Sequence, residues 1–102
     1  MAGVFEVGAW EFIARAAAHY RQKDLLAAVA ELKRGLPAHR NCWPLLYDLA
    51  CYESVVGDRE SALEHLRHAV EENPRAAELA REDRDLDAIR DDSRFSRLVL
   101  TG

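Results

Sequence analysis

From Trp10 onward, apolar residues recur at three- and four-residue steps, the spacing of one face of an α-helix. Trp10, Ile13, Ala14, Ala17 and Tyr20 form the first such stripe. Arg21, Gln22 and Lys23 break it, and Asp24 is placed to cap a second helix from about Leu25 to Gly35, with Val29, Leu32 and Leu36 on one face. Gly35 and Pro37 end that helix. Asn41 is the expected N-cap of a third helix spanning Trp43 to Val56, and Pro44 suits its first turn. Gly57 closes it and Asp58 caps the fourth, whose stripe is Ala62, Leu63, Leu66, Ala69 and Val70. Asn73 and Pro74 stop the fourth helix.

The elements then shorten. Arg75 to Arg81 is expected to form about two helical turns, Asp85 to Arg90 a single turn, and Ser93 to cap a last helix carrying Phe95, Leu98 and Val99. Leu86 and Ile89 need burial, so the acidic stretch around them is expected to lie over the preceding helices as a cap rather than to run free as a linker. Residues 4–8, Val-Phe-Glu-Val-Gly, alternate and are short; they suit a strand remnant or a disordered lead.

The chain also matches itself at a shift of 34 residues without a gap. Ala16 falls on Ala50, Asp24 on Asp58, Ala28 on Ala62, Val29 on Leu63, Leu32 on Leu66, Lys33 on Arg67 and Leu36 on Val70. That period, with two helices per copy, is the tetratricopeptide one, and residues 43–76 resemble this family most closely. Leu46 stands at the family's Trp position, Leu49 and Ala50 at its Leu–Gly pair, Gly57 and Asp58 at the turn, then Ala62, Leu66, Ala69 and Pro74 in order. Glu53 departs from the pattern where Tyr is favoured, as do Arg15, His19 and Arg40 in the first copy.

The resemblance implies an all-α, right-handed α-α superhelix of two helix–turn–helix repeats (9–42 and 43–76), preceded by a lead or junction (1–8) and followed by capping helices (77–102). It also implies a groove lined by the first helix of each repeat, here Trp10, Ile13, Ala17, Tyr20, Tyr47, Cys51 and Ser54. The function implied is protein–protein interaction: a partner protein or peptide in the groove, or self-association into a homodimer that covers apolar residues near Phe5, Trp10 and Phe12. Family members that clamp a chaperone's C-terminal carboxylate use Lys, Asn and Arg in the groove; the matching places here hold Ile13, Ala17 and Cys51, which disfavours that partner. The tail and the Gly8–Tyr20 stretch also resemble the helical C-terminal part of bacterial cupin-plus-tetratricopeptide proteins. The alternative implied is an accessory or oligomerisation segment of a larger enzyme whose metal and chemistry lie elsewhere.

Charge narrows the partner. The formal net charge is −4, which disfavours a nucleic-acid backbone. It is unevenly spread: residues 1–42 hold six basic and four acidic groups, whereas residues 71–92 hold four basic and nine acidic ones, a net −5 that would steer a basic partner. No apolar run reaches the roughly 20 residues that cross a bilayer, and no secretory signal opens the chain, so no membrane role and a cytoplasmic location are expected.

Little in the chain points to catalysis or to a cofactor. Cys42 and Cys51, nine positions apart, would lie roughly 13 Å apart on one helix, beyond the about 7 Å that a disulfide tolerates. His65 and His68 are three apart, but without a third ligand they suit a helix surface better than a metal. Cys51 lacks a marked base, and the acidic residues of 82–92 lack the spacing and the glycine of a calcium loop. No enzyme activity, cofactor or metal is expected.

Overall fold

The computed structural model describes the backbone of residues 2–100 and the side chains of residues 8–100. Six α-helices follow one another: α1 (Ala2–Arg21), α2 (Leu25–Gly35), α3 (Trp43–Val56), α4 (Arg59–Glu72), α5 (Arg75–Ala80) and α6 (Ser93–Leu100). Short 3₁₀ turns at Leu36–Ala38 and Arg84–Ile89 complete the described residues, which contain no strand. The fold is all-α, as the helical spacing predicts.

α1 pairs with α2 and α3 with α4, and the two hairpins meet through α2 on α3 and α1 on α3. The result is a slab 34 × 32 × 19 Å, about two helix diameters thick. Residues related by the 34-residue shift play the same part in each hairpin. Asp24 accepts a hydrogen bond from the Ala27 amide, and Asp58 from that of Ser61. Ala16 and Ala50, Ala28 and Ala62, and Leu32 and Leu66 are all fully buried. Alanine at the crossings lets the helix axes approach, and leucine fills the layer between them.

Four local expectations change. The segment 4–8 is neither strand nor disordered lead: its backbone belongs to α1, which begins at Ala2; the side chain of Phe5 lies outside the described residues. The buried face of α1 is not the stripe marked by its largest residues. Ala9, Ile13 and Ala16 are buried while Trp10 and Tyr20 are exposed, and Phe12 packs against Gly35 of α2, where a Cβ would lie 2.5 Å from its ring. Cys42, not Asn41, occupies the N-cap position of α3, with extended backbone and no side-chain cap bond. Asn41 sits one residue too early and its carboxamide faces His68 of α4 at 3.2 Å. At α6, Asp92 rather than Ser93 takes the capping bond, its carboxylate accepting from the Arg94 amide at 2.8 Å.

Beyond Pro74 the chain turns back over the second hairpin. α5 and α6 pack on each other and on α4, and the 3₁₀ turn Arg84–Ile89 lies against α3. Leu86, Ile89, Phe95 and Val99 are buried there, which is the burial the sequence demands of them. Arg90 fastens this cap. Its guanidinium donates to the carbonyls of Ala80, Arg81 and Asp83 at 3.2, 2.9 and 2.5 Å and lies over the Phe95 ring.

Candidate functional site

The first helices of the two hairpins carry the residues expected to line a groove. On α3, Tyr47, Cys51 and Ser54 follow at steps of four and three, which places them on one helix face. All three are buried. What covers this face is the chain's own cap. The Tyr47 hydroxyl donates to Asp83 Oδ2 at 2.7 Å, and the Cys51 thiol faces the same oxygen at 3.6 Å. From α1, the Tyr20 hydroxyl donates to Asp85 Oδ1 at 2.9 Å while its ring stacks on Tyr52 at 5.1 Å. Asp83 Oδ1 accepts from the Asp85 amide at 3.0 Å, which fixes the start of the 3₁₀ turn.

The electrostatics follow from burial among carboxylates. Burial, then the charge of Asp83, keeps the Cys51 thiol protonated far beyond its ordinary range. Tyr47 is likewise held as a phenol, by burial first, and Tyr20 chiefly by its hydrogen bond to Asp85. Asp48, one residue along from Tyr47, is pushed up to about 6 by burial and by the charges of Asp83 and Asp85. Asp85 is raised by burial, against the opposing effect of the Tyr20 hydrogen bond. None of Asp48, Asp83 and Asp85 has a Lys, Arg or His side-chain partner among the described residues. The site is thus a part-buried negative cluster edged by two phenols that stay protonated and donate to it.

The seven expected groove residues therefore divide. Tyr20, Tyr47 and Cys51 converge on the two cap aspartates. Ser54 is buried, and its hydroxyl has no hydrogen-bond partner. Ile13 is buried in the core, Ala17 is half-buried, and Trp10 stands 53% exposed. The centre of the expected open groove is closed, because Leu86 and Ile89 bury themselves beside it and carry Asp83 and Asp85 into place.

The carboxylates are what the sequence reading missed. Asp48 lay unmarked inside an apolar helix, a position where an acid needs a reason, and this was the available signal. Asp83 and Asp85 fall in the acidic stretch expected to lie over the preceding helices as a cap, with nothing in their spacing to mark them apart from its other acids. Cys51 Sγ and carboxylate oxygens of Asp83 and Asp85 lie within 4.8 Å of one another, a spacing that a cation could bridge. His65 and His68 each have partners of their own: His65 Nδ1 pairs with Glu53 at 2.6 Å, and His68 Nε2 faces Asn41 at 3.2 Å and Glu72 at 3.7 Å. Cys42 and Cys51 are not joined in a disulfide.

Comparison with known proteins places no relative beside this chain: no family model, no curated protein and no solved structure matches it.

Proposed function

We propose that this chain is a cytoplasmic protein-recognition module of the tetratricopeptide kind, its two hairpins forming the right-handed superhelical turn of that family, and that it takes a basic segment of a partner protein. The observation that carries the reading is that Asp48, Asp83 and Asp85 are part-buried, act on one another electrostatically, and have carboxylates paired with no basic side chain among the described residues. Carboxylates held together in a low-dielectric setting repel one another, and a Lys or Arg side chain entering beside them relieves that cost. The surrounding net charge of −5 over residues 71–92 draws a basic segment toward the same end. Tyr20, exposed at the edge and stacked on the buried Tyr52, supplies a flat aromatic wall for the aliphatic stem of such a residue.

The test is a titration of ¹⁵N-labelled protein with a lysine-rich and a glutamate-rich peptide of equal length. The reading expects the basic peptide alone to shift the amides of Tyr47–Tyr52 and Asp83–Leu86 saturably. Asp48→Asn and Asp85→Asn should each weaken binding about tenfold, while Asp87→Asn on the exposed side of the turn should not. Shifts spread evenly over the acidic surface, or equal affinity in all variants, would refute it.

A further inference from the structure

Two helix neighbours connect Asp48 to the cap aspartates. Cys51 is three positions along α3 and Tyr52 four, so their Cβ atoms lie roughly 5–6 Å from that of Asp48 on the helix surface. The Cys51 thiol faces Asp83 Oδ2 at 3.6 Å. The Tyr52 ring stacks on Tyr20, whose hydroxyl donates to Asp85 Oδ1 at 2.9 Å. Carboxylate oxygens of Asp83 and Asp85 lie within 4.8 Å of each other and of Cys51 Sγ. Asp48 is therefore one side chain removed from each cap aspartate.

The groups around it leave its charge unrelieved. The cap contributes Asp83 and Asp85, and α1 the Tyr20 phenol. α3 itself adds Tyr47, Cys51 and Tyr52, which burial keeps protonated. Lys33 of α2 and His65 of α4 are directed to Glu53 instead, and Arg75 and Glu78 of α5 are exposed. Burial, then the charges of Asp83 and Asp85, push Asp48 up to about 6. A carboxylate so placed lowers its cost either by keeping a proton or by meeting a cation, and the two remedies compete.

Resting on the reading that these carboxylates take a basic side chain, we infer that the partner's cation and a proton on Asp48 exclude each other, so that the module holds a basic segment at neutral pH and releases it in mild acid. As the ammonium or guanidinium enters, the Asp48 O–H bond breaks and its proton goes to solvent. On acidification the proton returns and the cation leaves. With Asp48 half-protonated at about pH 6, this linkage makes binding about tenfold weaker at about pH 5 than at about pH 7.

The experiment is isothermal titration of the full chain with an acetylated, amidated lysine-rich peptide free of His, Asp and Glu, at several pH values between about 5 and 7. Wild type is expected to lose about tenfold in affinity over that range beyond any change in Asp48→Asn, and the two proteins to converge in acid, where asparagine and protonated aspartate carry the same charge. The four histidines titrate in both proteins, so their effect cancels in the comparison. Repeating the titration at about pH 6 in buffers of unlike ionisation enthalpy counts protons: wild type is expected to release about half a proton more per peptide than Asp48→Asn. The proton count on wild type stands even if the variant does not fold, and zero release there overturns the inference. A pH dependence equal in the two proteins overturns it as well, while leaving the recognition of basic segments in place. Absence of binding at every pH overturns both.

Discussion

Lys23 and Gly57, thirty-four positions apart, both hold the left-handed backbone conformation, with φ of 63° and 94°. The surrounding bonds repeat as well. The Asp24 amide donates to the His19 carbonyl at 2.9 Å, and the Asp58 amide to that of Glu53 at 2.9 Å. Each hairpin thus turns on the same helix-terminating motif followed by a capping aspartate. Only the second uses the residue that adopts this conformation without steric cost.

Lys23→Gly is therefore expected to stabilise the protein by about 0.5–1 kcal/mol, and Gly57→Ala to destabilise it by about 1 kcal/mol. Urea denaturation of the two variants checks both signs. A destabilised Lys23→Gly protein would mean that the lysine side chain does more than suffer its backbone.

The link between cap and second hairpin rests on Tyr47 and Asp83. Tyr47→Phe keeps the ring and removes the donor, leaving Asp83 with only the weak thiol and its local amide. A loss of about 1–2 kcal/mol is expected, with faster amide exchange confined to Arg84–Ile89. Unchanged exchange there would show that Arg90 and the buried Leu86 hold the turn by themselves.

Asp48 gives stability a pH dependence of unusual sign for an aspartate. Its value in the folded chain is raised to about 6, whereas an unfolded aspartate titrates near about 4. The native state binds that proton more tightly, so the contribution is fully present below about 4 and is lost as pH rises through about 6. Asp48→Asn removes it. The variant should exceed the wild type by about 1–3 kcal/mol at neutral pH and lose that lead in acid. Denaturation midpoints measured from acid to neutral pH check this; parallel curves for the two proteins would locate the strain elsewhere.

Gly35 of α2 faces the Phe12 ring of α1 with no room for a side chain. A methyl at Gly35 would meet the Phe12 ring at 2.5 Å. Gly35→Ala is expected to cost about 1–3 kcal/mol by overpacking. Combining it with Phe12→Leu should recover part of that loss, and a double-mutant cycle measures the coupling. Strict additivity would show that the helices can separate freely at this crossing.

The two hairpins, their aspartate caps and their buried alanines were legible in the chain because they are local or periodic. Asp24, Gly57, Asp58 and Pro74 act on backbone within a turn of themselves, and a 34-residue repeat declares its own register. The burial of Leu86 and Ile89 was also legible, since apolar residues in an acidic stretch have nowhere else to go. Which surface they would bury against was not. That choice brought Asp83 and Asp85 onto Tyr47, Cys51 and Tyr20, closed the expected groove, and set their charges within electrostatic reach of Asp48. Likewise, Glu53 and His65 are twelve positions apart on different helices, and only the packing of α3 on α4 made them a pair. Local propensity and period are written into short stretches of sequence. The meeting of charges across elements depends on how the whole set of apolar faces settles together.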